Sequence, residues 1–182
     1  MATATNRLTI DDFEQLPQEQ AENRELVDGE LIEMSGNTPQ GNVLRDLLIE
    51  LLRPFVRKHH AGYVIAEQEF DFNGDAHGPD VAFFGPAKKA LLDRRKRVQR
   101  FVPDLAIEVA SASDSFPSLL SKKEKYRRCG TDEVWILVPE TCEIFIFSVR
   151  GDRILSGDAE LSTDLLPGFR ISVRLLFEQA AE

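Results

Sequence analysis

The sequence predicts an α/β fold: a central mixed β-sheet flanked by helices, with an N-terminal hairpin. Three observations predict it. One early segment carries apolar residues at helical spacing, several short runs through the middle alternate or are wholly apolar, and Gly, Pro and Asp punctuate them.

Taken in order, Thr9 followed by Asp12 reads as a capping box opening a short helix, with Leu8, Phe13 and Leu16 as its apolar contacts. Arg24 to Glu33 reads as a hairpin, because Asp28-Gly29 between alternating runs suits a turn with positive φ at both central positions. That register sets Val27 opposite Glu30 and Glu25 opposite Ile32, so Glu25 and Glu30 project from the same side. Leu44, Leu47, Leu48, Leu51, Leu52, Phe55 and Val56 recur at helical spacing and predict a helix from about Asn42 to Lys58. Gly62 ends the turn beyond it. Tyr63 to Phe72 switches to period two and reads as one half-buried strand.

Asp80 to Phe84 is a short apolar strand introduced by Pro79, and Lys88 to Arg100 reads as a polar, basic helix. Asp104 to Ala110 is a further strand, followed by a helix from Ser118 to Arg128 that Gly130 stops. Glu133 to Val138 and Glu143 to Phe147 are strands around Pro139-Glu140-Thr141. Arg170 to Val173 reads as a strand and Leu175 to Phe177 as a last apolar turn.

The 182 residues fit a single domain, with no repeat, linker or composition shift to divide them. Such a length buries roughly 70% of the surface its unfolded chain exposes, so no covalent staple is needed. With 42% hydrophobic and 29% charged residues, disorder and fibrous low complexity are excluded. The net charge of -9 (22 bases against 31 acids) repels nucleic acid and anionic membrane, so either partner needs a local basic patch or a metal. Two cysteines and three histidines, without CxxC or HxxxH spacing, argue against a disulfide scaffold or a zinc site. Met1 to Thr9 lacks the pattern of a signal peptide, and no run approaches the ~18 apolar residues of a membrane helix. The chain reads as a soluble cytoplasmic domain.

Three residues carry candidate chemistry. Alternation puts Leu105, Ile107 and Val109 on one face of their strand and Asp104, Ala106, Glu108 and Ala110 on the other. Glu108 is either wet on the outer face of an edge strand or buried and in need of a cation, a lysine or arginine, or a raised pKa. The two small alanines beside it leave space over that face and favour the second reading. Asp80 alone reads as turn chemistry after Pro79. On neighbouring strands, about 4.8 Å apart, Asp80 and Glu108 would converge on one hard divalent cation. The run Lys122-Lys123-Glu124-Lys125 by itself reads as a solvated helix face. Ser111 and Ser113 have no histidine nearby for a triad. The seven bases between Lys88 and Arg100 suit a phosphate backbone, although a solvated helix is the commoner outcome.

Six motifs occur in order: Glu25 to Leu31, Pro79-Asp80-Val81, Pro103 to Val109, Lys122 four residues before Tyr126, Gly130 with Glu133-Val134-Trp135, and Leu166 to Phe169. In that order the chain resembles the Uma-two family, a branch of the PD-(D/E)XK nuclease superfamily, over about residues 8–177. The resemblance implies a restriction-endonuclease-like fold and a Mg2+ (or Mn2+) site built from Asp80, Glu108 and the backbone of Val109. The superfamily often places a lysine two residues after the second acid, where this chain has Ala110. The resemblance implies that the lysine has migrated to Lys122, there to orient the attacking water. It also implies that Glu25 or Glu30, Glu30 by preference, completes the metal shell or positions a second metal; an exposed hairpin flank is the other reading. Asp104 matches too, though a turn cap explains it equally. Relatives commonly carry histidine where this chain reads Gln40-Gly41-Asn42.

The leading expectation is a Mg2+-dependent DNA endonuclease hydrolysing phosphodiester bonds, with a homodimer as the means of cutting two strands. The alternatives are a catalytically inactive nuclease-like module that binds nucleic acid or a protein partner, and a hydrolase of another phosphate ester.

Overall fold

Thr9 opens α1 (Ile10–Gln15) through a reciprocal cap: its Oγ1 accepts from the Asp12 amide at 3.2 Å, while Asp12 Oδ2 accepts from the Thr9 amide at 2.8 Å. In this computed structural model the described residues are 7–34, 36, 38–111 and 114–181. After α2 (Gln18–Ala21), β1 (Arg24–Val27) and β2 (Glu30–Glu33) form the expected hairpin, with Val27 opposite Glu30 and Glu25 opposite Ile32. Asp28 (φ 50) and Gly29 (φ 78) both take the positive φ that this two-residue turn requires.

The long helix α3 (Pro39–Lys58) begins three residues before the expected start at Asn42. Thr38 Oγ1 accepts from the Gly41 amide at 3.1 Å, and Pro39 fits the first turn without losing a hydrogen bond. Leu44, Leu48, Leu52 and Val56 bury one stripe of it. At Gly62 (φ +141) an added Cβ would stand 2.1 Å from the Phe84 carbonyl oxygen. Gly62→Ala should therefore cost about 3 kcal/mol, read as a lower urea midpoint with an unchanged m-value.

Two expectations are corrected. The run Tyr63 to Phe72 is two strands, β3 (Tyr63–Ala66) and β4 (Glu69–Phe72), broken at Glu67, whose φ is 51. A one-residue left-handed kink leaves the alternation intact, so periodicity does not register it. Lys88 to Arg100 is not a helix. Only α4 (Pro86–Lys89) is helical, and the segment turns back into β7 (Val98–Gln99). Five of its seven bases are held by acids: Lys88 by Asp104, Arg95 by Asp93, Lys96 by Glu14, Arg97 by Glu69, and Arg100 by Asp11 and Asp71. Those pairs, most of them to distant elements, outweigh local helix propensity and leave few bases for a phosphate backbone.

β4 joins β5 (Asp75–His77), β1, β2 and β7 in a five-stranded sheet of order β2-β1-β5-β4-β7. The larger, six-stranded sheet has the order β11-β10-β9-β8-β6-β3. Its members are β6 (Val81–Phe84), β8 (Leu105–Val109), β9 (Glu133–Val138), β10 (Glu143–Ser148) and β11 (Arg153–Ser156), with β3 at the edge. β8 lies parallel to β9 and antiparallel to β6, which makes the sheet mixed. All five residues of β8 are buried, so it is a central strand and not a wet edge. One face of this sheet, carrying Leu105, Ile107 and Val109, packs on α3 and α6 (Val173–Ala180). The other, carrying Ala106 and Val134, packs on Tyr126 of α5 (Phe116–Arg128) and on Phe70 and Phe72 of the second sheet.

β12 (Glu160–Ser162) pairs with β13 (Arg170–Ser172), and the apolar turn expected near Leu175 is the eight-residue α6, capped by Ser172. Among the described residues no helix is long and apolar enough to cross a membrane.

Candidate active site

Pairing Val81 with Ile107 fixes β6 against β8, and one further step of that register sets Asp80 across from Glu108. Directly opposed residues of an antiparallel pair share a face with Cβ atoms roughly 5 Å apart. Both acids therefore look into the layer between the large sheet, α5 and the second sheet. Asp80 Oδ2 accepts from the Val109 amide at 2.7 Å, which ties the start of β6 to the end of β8. Glu108 is buried and its Oε1 accepts from the Tyr126 hydroxyl at 2.6 Å.

Lys122 reaches this layer from α5. Its Nζ lies 3.1 Å from Glu25 Oε1 on β1. Glu25 is itself buried, also accepts from the Gly78 amide at 3.3 Å, and has Oε2 3.0 Å from His77 Nδ1. The His77 contact is close but not aligned as a hydrogen bond. His77 and Tyr126 are in turn fixed by rings: Tyr126 stacks on Phe72 at 4.4 Å, and His77 meets Tyr126 edge-on at 5.8 Å.

The charges in this layer are strongly coupled. Burial pushes the Glu108 carboxyl up to about 8, with Lys122 opposing and the charges of Asp80 and Glu25 adding to the rise. Burial also raises Glu25, but the His77 and Lys122 contacts outweigh it and hold that carboxyl at about 2. Burial would neutralise Lys122, yet Glu108, Glu25 and Asp80 outweigh it and keep the ammonium charged. One acid is thus kept protonated beside another that stays ionised.

The structure brings Asp80, Glu108, Val109 and Lys122 together. Of the hairpin acids it brings in Glu25; Glu30 is exposed at the turn, opposite Val27. Asp104 is occupied elsewhere, its Oδ2 accepting from the Gly85 amide at 2.6 Å and its Oδ1 pairing with Lys88, the structural role its place at a strand start suggested. Ser111 donates its amide and hydroxyl to Asp114, both at 2.8 Å, and Ser113 lies outside the described residues. Gly41 is buried in the first turn of α3, and Asn42 beside it lines a groove of about 670 Å3 that also contains Asp80. A second groove, of about 350 Å3, opens on the Lys122 side and holds Glu25, His77 and Lys125.

His77 and the role of Tyr126 were not foreseen. The spacing Lys122 to Tyr126 does put both on one helix face. Asp75-Ala76-His77 is too short to show any period.

A family model for Uma2, described as "Putative restriction endonuclease", matches residues 10–174. The chain belongs to the Uma2 family. Its fold is similar to the crystal structure of "a putative nuclease belonging to DUF820" from Anabaena variabilis ATCC 29413, with a TM-score of 0.81. The match covers 95% of this chain and 99% of that one at 18% identity, so it speaks for the fold. No curated protein matches the chain. Family and fold agree with the resemblance carried by the sequence motifs: both are nuclease-like.

Proposed function

We propose that this Uma2 domain is a DNA endonuclease that hydrolyses phosphodiester bonds with a divalent cation, Mg2+ or Mn2+, held by Asp80 and Glu108. The observation that carries the reading is the opposition of these two carboxylates on adjacent strands, with the Lys122 ammonium electrostatically coupled to both.

The donor set fits a hard cation. Two acids that cannot both ionise in a buried layer are stabilised together by a positive ion between them. Mg2+ takes one or two carboxylates and keeps several waters, so a pair of acids is enough to hold it. The Val109 peptide oxygen is the further ligand that the family resemblance implies. When bound, the cation supplies Lewis acidity to a phosphoryl oxygen and lowers the pKa of a water.

The chain's own groups do the rest. Lys122, kept charged by its carboxylate neighbours, orients the attacking water and offsets charge on the phosphate. Glu25, ionised and buried, positions Lys122; Glu30, expected to complete the metal shell, is exposed at the turn and takes no part in this reading. Tyr126 engages one oxygen of Glu108 and so fixes how that carboxylate faces the ion.

A second reading, an inactive module that binds nucleic acid or a protein, is favoured by one observation: the groove holding Asp80 is lined by four further acids. Supercoiled plasmid separates the two. The enzyme nicks it in Mg2+ or Mn2+ and stops in EDTA, and conversion to linear DNA points to paired subunits. Intact plasmid in Mn2+, together with no thermal shift on adding the metal, would refute the enzymatic reading.

A further inference from the structure

Two grooves border the acidic layer, one through Asp80 and the other through Glu25 and Lys122, and they differ in charge. The one on the Asp80 side is lined by Glu22, Glu33, Glu67, Glu69 and Asp80, with Arg97 its single base, already held by Glu69. The one on the Lys122 side is lined by Lys122, Lys125 and Arg128 of α5; two of its three acids, Glu25 and Asp75, are buried beneath. A polyanion and the first groove repel each other. The second offers cations and, from Ser118 and Ser121, two hydroxyl donors.

These five side chains form a stripe. Positions 118, 121, 122, 125 and 128 fall on one face of a helix, and ten residues of helix extend about 15 Å. That is the axial reach of roughly four phosphates on one strand of a duplex. Lys122 is tied to Glu25 and Lys125 to Asp75, so both are held in place along the groove. Arg128 is exposed, and no carboxylate of the described residues pairs with it. Lys125 and Arg128 also line an adjoining groove of about 870 Å3 with Arg100, so the polar path continues beyond the end of α5.

We propose that the phosphate backbone of the nucleic-acid substrate reaches the acidic layer along the α5 stripe of Ser118, Ser121, Lys122, Lys125 and Arg128, and not through the groove on the Asp80 side. This rests on the nuclease reading and adds the direction of approach. Of the bases between Lys88 and Arg100, Arg100 borders this path.

The test measures anisotropy of a short fluorescein-labelled DNA duplex, with Ca2+ replacing Mg2+ so that binding is read without cleavage. Arg128→Ala should weaken binding about five- to tenfold and lower the slope of log affinity against log salt by about one. In plasmid cleavage the same variant should raise KM and leave kcat unchanged. Glu33→Gln, in the opposite groove, should change affinity by less than about twofold. Unchanged affinity and slope in Arg128→Ala, or tightening by Glu33→Gln as large as that loss, would overturn the path while a cleaving wild type preserved the nuclease reading. A wild type that neither binds nor cuts would overturn both.

Discussion

Glu108→Gln should abolish metal-dependent cleavage, by on the order of a thousandfold or more, and at the same time stabilise the metal-free protein at alkaline pH. The two effects have one origin. Glu108 is buried opposite Asp80, and its carboxyl sits at about 8 against an ordinary value of 4.5. Between those values the folded chain keeps a proton that the unfolded chain releases. Stability therefore falls as pH rises from about 4.5 to about 8, at roughly 1 kcal/mol per pH unit, and levels off beyond. Glutamine keeps the shape and still accepts from Tyr126, but has no proton to lose, so that slope should disappear from urea titrations run at successive pH values. A cation binds the ionised carboxylate, so in the wild type the thermal shift from Mn2+ should grow with pH up to about 8, with protons released on binding. In Glu108→Gln the shift should be nearly lost. A variant that still cuts plasmid, or a wild type whose Mn2+ shift is independent of pH, would remove Glu108 from the metal.

How much of this was legible in the sequence depended on the range of the interaction concerned. The Asp28-Gly29 hairpin, the apolar stripe of α3 and the two faces of β8 follow from local rules and were read from residue types alone. The pairing of β6 with β8, which sets Asp80 across from Glu108, is a tertiary fact that no local spacing contains; the family resemblance implies only that the two acids share a metal. Glu25 and Glu30 share one side of the hairpin in the sequence and in the structure. Only the position of α5 and of His77 on β5 decides that Glu25 meets Lys122 and Glu30 meets solvent. The bases from Lys88 to Arg100 failed as a helix for the same reason, since several of their partners lie on α1, β4 and other distant segments. His77 left no trace, because a three-residue strand between Gly74 and Gly78 offers no pattern.

Lys122→Ala should cut the cleavage rate by about a hundred- to a thousandfold and destabilise the fold by about 2 kcal/mol. The rate falls because the ammonium whose charge acts on both Glu108 and Asp80 is lost from the water it would orient. The stability falls because Glu25, buried and ionised, keeps His77 but loses Lys122. Glu25 sits at about 2 in the folded chain against 4.5 ordinarily, so its contribution is present above about 4.5 and lost as pH falls toward 2. Lys122→Ala shrinks that contribution, so its acid-limb titration should be shallower than the wild type and the two should converge near pH 2. Lys122→Arg keeps the charge but spreads it over a planar fork, and should restore most of the stability and only part of the rate. The double variant Glu25→Gln with Lys122→Met removes both charges and fills the space, so it should be more stable than Lys122→Ala and equally inactive. Were the double variant to regain cleavage, Lys122 would be a partner for Glu25 and nothing more.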